Sequence, residues 1–192
     1  ANQIQAKGYE ATINLMAVSH ARELELDEAL VQVEKESSVD ALYLVDSFGA
    51  LYSEQISHLA KKYKSLMPTK EIGIHAHNNQ QLAFANTIES IIQNINYLDG
   101  TILGIGRAAG NCPLELLLGF LKNPKFNIKP ILEVLGKEFV NLQKEIEWGY
   151  TIPYMITGIL DLHPRAGMKL RNSDEKDEYL KFYEKLTSEA NV

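Results

Sequence analysis

Residues 71–79 read EIGIHAHNN, a short apolar run that ends in two histidines and two asparagines. Three similar segments rich in β-forming residues occur elsewhere, and the four segments begin near residues 10, 40, 71 and 97. Short apolar runs of this kind, bounded by polar residues, are typical of buried strands. The predicted strands are Tyr9–Val18 (YEATINLMAV), Val39–Val45 (VDALYLV), Glu71–His77 (EIGIHAH) and Ile95–Leu103 (INYLDGTIL).

Helical patterns separate these strands over Leu26–Glu36, Tyr52–Met67 and Gln81–Gln93, and a fourth helix is predicted over Leu114–Leu121, after Pro113. Regular alternation of strand and helix predicts an α/β fold with a parallel sheet. Four such units occupy about 110 residues, so eight would occupy about 220, close to the ~250 residues typical of a TIM barrel. A small open sheet of four parallel strands fits the same pattern, so the choice depends on where the chemistry lies.

The β/α rhythm stops near residue 123, and the rest of the chain is predicted to be a helical extension. Its parts are a helix over Lys129–Glu147, an irregular stretch over Trp148–Pro164 and a charged helix over Ser173–Glu189. We therefore divide the chain into residues 1–122, which carry the β/α units, and residues 123–192, the extension.

Composition excludes several classes of protein. Hydrophobic residues make up 45% and charged residues 23% of the 192 positions, which is ordinary for a globular domain. The net charge of −6 provides no basic surface for nucleic acid, and no apolar run approaches the ~20 residues that cross a bilayer. The single cysteine, Cys112, excludes an internal disulfide and fits a reducing compartment, so we predict a cytoplasmic protein with neither nucleic-acid nor membrane partners.

Polar residues cluster where the predicted strands end, which is where α/β enzymes carry their active sites. The clusters are Ser19-His20, Asp46-Ser47, His75 to Asn79, and Gly104 to Arg107. His75 and His77 are two residues apart on a strand, so their side chains share one face and could bind one metal ion. His20, His58 and His163 show no such spacing, and we expect His58, within a helix, to be a surface residue.

The glycines of Gly104-Ile105-Gly106-Arg107-Ala108-Ala109 formally match a dinucleotide fingerprint. In that fingerprint the glycines open a helix directly, whereas the next predicted helix here starts only after Pro113. No strand ending in an acidic residue follows about 20 positions after the glycines, so a dinucleotide site is not favoured. The glycines are better explained as a tight turn that approaches a ligand and presents Arg107 and Asn111.

Three segments together resemble the metal-dependent aldolase/lyase superfamily of TIM barrels, which includes hydroxymethylglutaryl-CoA lyase. They are VDSFGAL (45–51), HAHNN (75–79) and GIGRAAGNCPLE (104–115), and their order and spacing make the match specific. The pairing of VDSFGAL with HAHNN looks more like the 4-hydroxy-2-oxovalerate aldolase branch than the synthases of the superfamily. The aromatic segment WGYTIPYMITGILDLHP (148–164) resembles the region near that aldolase's C-terminus. The resemblance implies that the four strands are the C-terminal half of a (β/α)₈ barrel. The chain also starts at Ala1, without Met, in what reads as the end of a helix, so we expect an upstream half-barrel.

The resemblance also implies a metal site. His75 and His77 would be ligands and Asn111 an additional ligand, with Mn²⁺ or Mg²⁺ as the cofactor, while the preferences of imidazole ligands also allow Zn²⁺. The superfamily's aspartate ligand and its neighbouring arginine form an Arg-Asp pair that this sequence lacks. Further residues are predicted to contact the substrate, namely Asn14, Asp46, Ser47 and Arg107. Asp46 could instead orient a ligand histidine or cap its strand.

By the same resemblance, the expected activity is divalent-metal-dependent cleavage of a 4-hydroxy-2-oxo acid to pyruvate and an aldehyde. Tyr150 and Tyr154 are the catalytic candidates in this chain, where they could hold the substrate hydroxyl; packing of the two rings against the barrel is the alternative. The general base is expected in the upstream half, so the 192 residues alone should be inactive. The alternatives are a Claisen-type synthase joining an acyl-CoA to a 2-oxo acid, and a non-catalytic barrel fragment or subunit. The expected partners are a 2-oxo acid substrate and either an N-terminal half-barrel or an oligomer.

Overall fold

The computed structural model describes residues 1–36 and 38–190. Four strands form a parallel sheet in the order β1-β2-β3-β4, with β1 at Thr12–Leu15, β2 at Ala41–Asp46, β3 at Glu71–Ala76 and β4 at Tyr97–Leu98. Ten α-helices are assigned among these residues: α1 Asn2–Gln5, α2 Glu23–Lys35, α3 Ser53–Leu66, α4 Ala83–Ile92, α5 Leu114–Leu121, α6 Lys129–Val134, α7 Val140–Glu145, α8 Ile152–Ile159, α9 Arg165–Arg171 and α10 Tyr179–Ala190. This arrangement confirms the predicted α/β class.

Helices cover one face of the sheet. Alternate strand residues such as Leu42, Leu44 and Ile74 point to this face and are fully buried against the helices. In α3 the buried residues Ile56, Leu59, Ala60 and Tyr63 recur with helical spacing, which explains why this segment packs as an amphipathic helix.

The residues between those core positions lie on the opposite face of the sheet. Asn14, Tyr43, Gly73 and Tyr97 are aligned across the four strands by the sheet register. The rings of Tyr43 and Tyr97 meet edge to face, with centroids 6.3 Å apart. The second face therefore carries polar and aromatic side chains, and it continues directly into the carboxyl ends of the strands.

β2 and β3 differ from their predicted bounds by one or two residues at an end, but β1 and β4 are much shorter than predicted. β1 ends at Leu15 because Ala17 adopts a left-handed conformation (φ 55°) and Val18–His20 form a 3₁₀ turn. β4 pairs at only two residues, Tyr97 and Leu98, before the chain turns into a second 3₁₀ segment at Ile102–Gly104.

The extension contains more helix than predicted. The stretch expected to be irregular holds α8, which begins with Pro153 in its first turn, where proline is favoured. The helix α9 was not predicted, and α10 starts at Tyr179 rather than Ser173. The single helix predicted over Lys129–Glu147 is interrupted by a π-helical turn at Leu135–Phe139.

α8 to α10 share a small apolar cluster of Ile156, Leu170, Phe182 and Leu186. α5 ends at Leu121, one residue before the predicted boundary, but the division into two units stays a prediction. Among the described residues, none of the helices is both long and apolar enough to cross a membrane.

Candidate metal centre

The two histidines of HAHNN lie at the carboxyl end of β3. His75 is the next-to-last residue of the strand, and His77 follows its end. Their rings are in edge-to-face contact with centroids 5.0 Å apart, and both are only partly exposed. The i, i+2 spacing therefore brings the two imidazoles together on one side of the sheet edge.

Hydrogen bonds define the tautomer of each ring. His75 Nδ1 lies 2.9 Å from Asp99 Oδ2, and His77 Nδ1 lies 2.9 Å from the main-chain oxygen of Asp46. A carboxylate or carbonyl oxygen only accepts, so Nδ1 carries a proton in both rings, and in the neutral form of each ring Nε2 has the lone pair. Within residues 1–36 and 38–190, neither Nε2 has a protein hydrogen-bond partner.

His77 is held in the neutral form that binds metals. Burial, and then the nearby His75 and Arg107, lower its pKa from 6.5 to about 4, against the opposing effect of its bond to Asp46. A neutral imidazole with a free Nε2 lone pair is the protein's usual nitrogen ligand for a cation.

Asn111 brings a third donor to the pair. Its backbone forms a β-bridge with His77, and its Nδ2 donates to the carbonyl of Ile105 at 3.2 Å. Its Oδ1 is buried without a hydrogen-bond partner. Such an orphaned oxygen is costly unless a ligand or water satisfies it. A Cβ at Gly106 would lie 2.5 Å from Asn111 Nδ2, so the glycine leaves room for this side chain.

These donors fit a divalent cation. Two imidazole nitrogens and an amide oxygen are a mixed N/O set that suits Mn²⁺, Mg²⁺ or Zn²⁺ but is incomplete for any of them. No group of three or more His, Cys, Asp or Glu side chains that could hold a metal is found in the part of the chain that the structure describes.

Asp46 supports this site in two ways. Its main-chain oxygen holds His77, while its buried carboxyl group accepts from the backbone N–H of Ala50 at 3.0 Å and of Leu51 at 3.3 Å. Burial raises the pKa of this carboxyl group to about 7, although the backbone donors lower it. The atom that orients the histidine is thus the carbonyl oxygen, and the carboxyl group caps the loop after β2.

The asparagines of HAHNN have structural contacts. Asn78 Oδ1 accepts from the backbone N–H of Ala83 at the start of α4. Asn79 is buried, and its Nδ2 donates to the carbonyl of Tyr154 in α8. The motif therefore combines a histidine pair with two residues that attach the following loop to α4 and to the extension.

A profile of the HMGL-like family matches residues 2–135. The chain belongs to the HMGL-like family. The resemblance inferred from the three sequence segments is thereby confirmed.

Several relatives of this HMGL-like chain are enzymes. It is 34% identical over 127 residues to the 4-hydroxy-2-oxovalerate aldolase of Thermus thermophilus, covering 66% of this chain and 36% of the relative. It is also 34% identical over 118 residues to the oxaloacetate decarboxylase of Mycobacterium tuberculosis, covering 62% of this chain and 34% of the relative. The chain thus spans about a third of the length of these curated relatives.

Solved structures agree with the family. The N-terminal domain of a Bacteroides vulgatus protein assigned as an aldolase superposes with a TM-score of 0.77 and 29% identity, covering 90% of this chain and 58% of that one. The HMG-CoA lyase of Bacillus subtilis has a TM-score of 0.62 at 18% identity, covering 75% of this chain and 52% of that one, and supports the fold alone. The predicted TIM-barrel class, with four β/α units and a helical extension, is confirmed.

The predicted substrate residues of this HMGL-like chain lie at different places. Arg107 is exposed near His77, and its Nη2 donates to the carbonyl of Ser47 at 3.3 Å. Ser47 is buried, and its Oγ accepts from the N–H of Ala17. Asn14 is exposed on β1, two strands away from the histidines. Their roles toward a substrate stay predictions.

The two tyrosines belong to the extension. Tyr150 is 57% exposed, whereas Tyr154 is buried, with its hydroxyl 2.8 Å from Nη1 of Arg171. Gly158, in the same helix as Tyr154, packs so tightly on Asn79 that an added Cβ would lie 2.8 Å from the Asn79 Cβ. The helix α8 thus reaches the histidine loop, but the catalytic roles of both tyrosines stay predictions.

The remaining histidines behave differently from the pair. His58 is exposed on α3, as expected. His20 Nε2 donates to the main-chain oxygen of Asp161 at 2.7 Å, and the Phe48 ring lies between His20 and His163. These contacts attach the loop after α8 to the loop after β1.

Sequence reasoning missed Asp99, the partner of His75. The signal was available, because Asp99 directly follows the residues of β4 and therefore falls at the carboxyl edge. The predicted strand Ile95–Leu103 extended past Asp99, so the prediction did not place Asp99 at the carboxyl end of a strand.

Proposed function

We propose that this chain contributes the histidine side of a divalent-metal site in a carbon–carbon lyase that cleaves a 4-hydroxy-2-oxo acid to pyruvate and an aldehyde. The observation that carries the proposal is a pair of adjacent imidazoles with unpartnered Nε2 atoms, beside Asn111, whose buried Oδ1 has no hydrogen-bond partner. Similarity to 4-hydroxy-2-oxovalerate aldolases supports this reaction class.

His75, His77 and Asn111 would hold the cation, with Mn²⁺ or Mg²⁺ favoured by the oxygen-rich substrate and Zn²⁺ by the imidazoles. When bound, such an ion supplies Lewis-acid polarisation of the substrate's 2-oxo group. The remaining ligands are proposed to come from outside the four β/α units, since the described donors leave the coordination shell incomplete.

Arg107 is proposed to bind the substrate carboxylate. Its guanidinium is exposed and lies close enough to His77 and His163 to lower the pKa of both. A cation at the edge of the site attracts an anionic 2-oxo acid and orients it by paired hydrogen bonds.

Neither ligand histidine is available as the general base. Each commits Nδ1 to a protein acceptor and would commit Nε2 to the cation, which leaves no nitrogen to take the proton of the C4 hydroxyl. We propose that this base belongs to a complementary half-barrel, so that the 192 residues alone are inactive. The complementary strands could belong to the same natural protein or to another subunit.

Metal binding is tested by calorimetry of the full-length natural protein with Mn²⁺. The His77→Ala variant should lose binding, while His58→Ala, which removes an exposed histidine on α3, should bind like the parent. Unchanged Mn²⁺ binding in His77→Ala would overturn the ligand assignment.

The reaction is tested by following pyruvate release from 4-hydroxy-2-oxopentanoate with Mn²⁺. Oxaloacetate is the second substrate to test, because one relative is an oxaloacetate decarboxylase, and consumption of acetyl-CoA with a 2-oxo acid would indicate the synthase alternative. Absence of all three activities, in a full-length protein that binds Mn²⁺, would favour a non-catalytic subunit. Activity of the isolated 192 residues would contradict our placement of the base.

A further inference from the structure

We propose that Asp99 and Tyr43 form a positioning pair that holds His75 in the tautomer and orientation needed to present Nε2 to a divalent cation. This inference rests on the proposed metal site and adds to it two residues that no sequence motif indicated. Both act through His75, so they are positioning residues rather than catalytic ones.

The sheet register places Asp99 beside His75. Ile74 of β3 pairs with Leu98 of β4, and the N–H of Asp99 donates to the carbonyl of Ile74 at 3.1 Å. The residues that follow this pair, His75 on β3 and Asp99 directly after β4, therefore lie side by side, and Asp99 Oδ2 accepts from His75 Nδ1 at 2.9 Å. The pairing of β3 with β4 and the backbone hydrogen bond from Asp99 to Ile74 therefore fix the position of Asp99 beside His75.

Tyr43 approaches the same carboxylate from β2. Its ring crosses β3 directly over Gly73, where an added Cβ would lie 2.5 Å from the ring carbons. The rings of Tyr43 and Tyr97 meet edge to face, with centroids 6.3 Å apart. A glycine in the middle of a strand costs stability, and here it makes room for Tyr43 to reach across to Asp99.

The hydroxyl of Tyr43 lies close enough to Asp99 for the two groups to interact. Burial, and then the charge and hydrogen bonding of Asp99, raise the pKa of this phenol to about 12. The hydroxyl is therefore protonated at neutral pH and can donate to the Asp99 carboxylate. A carboxylate held in this way fixes the imidazole proton on Nδ1 and increases the basicity of Nε2.

The two ligand histidines are thus oriented by different means. His77 is held by a main-chain carbonyl, which no side-chain substitution removes, whereas His75 depends on the side chain of Asp99. Substitution of Asp99 should therefore weaken metal binding without altering the hydrogen bond between His77 and the main-chain oxygen of Asp46. Partners of this kind typically contribute 10- to 100-fold to metal affinity.

The test uses the full-length protein with Mn²⁺ alone as the probe. Asp99→Asn should weaken the Kd measured by calorimetry at least tenfold, Asp99→Glu should recover part of the loss, and Tyr43→Phe should weaken it two- to fivefold. Glu71→Gln removes an equal charge from the opposite end of β3 and should leave the Kd within twofold of the parent.

The second readout is the tautomer of His75 in the metal-free protein, measured by long-range ¹H–¹⁵N NMR. The parent should show the proton on Nδ1, and Asp99→Asn should shift the population toward Nε2. An unchanged Kd together with an unchanged tautomer in Asp99→Asn would overturn the proposal.

The outcomes also separate this inference from the proposed function. A parent that binds no Mn²⁺ but shows the Nδ1 tautomer would refute the metal site and keep the positioning pair. A parent with the proton on Nε2 would refute the pair, whether or not Asp99→Asn folds.

Discussion

The loop of residues 104–111 and the helical segment of residues 129–145 illustrate two ways of building structure in one chain. Two non-glycine residues have a positive φ here: Leu103, directly before the loop, at 52°, and Ala108, within it, at 58°. The loop also includes the buried Gly104, Ala109 and Gly110. The helical segment contains no buried residue in α6, in its π turn or in α7. In these two regions, the residues with positive φ lie beside buried positions, whereas the helix and its π turn contain no buried residue.

This difference indicates what each region depends on. Strained conformations persist only where the surrounding structure over-determines them, as the contacts of Asn111 and Trp148 do here. Trp148 Nε1, for example, donates to the carbonyl of Leu103 at 2.8 Å. The helical segment depends instead on local helix propensity and on its partly buried residues.

The largest effect is expected from Gly110→Ala, which would disrupt the loop. An added Cβ would lie 2.1 Å from the carbonyl oxygen of Gly104, and the φ of 80° is unfavourable for alanine. We expect the free energy of unfolding to fall by about 3 kcal/mol or more, since both overpacking and backbone strain are introduced. Chemical denaturation of the full-length protein measures it, and a loss below about 1 kcal/mol would contradict the tight loop.

The second prediction concerns the pH dependence of the histidine site. Unfolded His77 titrates near 6.5 and native His77 near 4, so between these values only the unfolded chain binds the proton. Acidification through this window therefore destabilises the native state. The raised pKa of Asp46 acts in the opposite direction below pH 7, because the native state then binds the proton first.

The contribution of His77 can be isolated by substitution. When the metal-free protein is acidified from pH 7 to pH 5, the free energy of unfolding of His77→Gln should fall by about 1–2 kcal/mol less than that of the parent. Denaturation at the two pH values measures this, and His58→Gln is the control, which should follow the parent. Equal pH dependence in His77→Gln and the parent would show that His77 is not held neutral.

The third prediction addresses the junction between the extension and the histidine loop. The Tyr154 hydroxyl accepts from Arg171, whose guanidinium also lies over the tyrosine ring and pairs with Glu147. Tyr154→Phe should lower the free energy of unfolding by about 1 kcal/mol, the value of one hydrogen bond. In a double-mutant cycle with Arg171→Met, the coupling should be of similar size.

The same Tyr154→Phe variant also bears on the predicted catalytic role. A catalytic hydroxyl requires a fall in kcat of more than tenfold with the fold intact, whereas a role in packing changes stability alone. In the double-mutant cycle with Arg171→Met, a coupling energy near zero would contradict the contact between Tyr154 and Arg171.

The smallest effect is expected in the helical segment. Gly136 lies in the π turn, and an added Cβ there would meet no atom within 4 Å. Gly136→Ala should stabilise the protein by about 0.5–1 kcal/mol, because alanine is the better helix former. Destabilisation in the same denaturation assay would show that the π turn needs the glycine, and the contrast with Gly110→Ala would be lost.

Local sequence determined most of the β/α order of this protein. Short apolar runs separated by amphipathic helical patterns suffice to locate β2, β3, α3 and α5, since those periodicities are local properties of the chain. The histidine pair was also visible, because residues two apart on a strand always share a face. The helices α8 and α9 were not, because their stretch is rich in glycine, proline and aromatic residues and is helical only where it packs on the rest of the chain.

Only the tertiary structure decided how the candidate site is assembled. The backbone of Asn111 meets that of His77 through a bridge between segments 34 residues apart, and Asp99 reaches His75 from the end of the next strand. The Asp46 carbonyl holds His77 from the strand before. These contacts follow from strand register and loop closure, which depend on the packing of the whole sheet. The sequence could place Asp99 at the carboxyl edge, but it could not show that Asp99 would meet His75 or that a main-chain oxygen would meet His77.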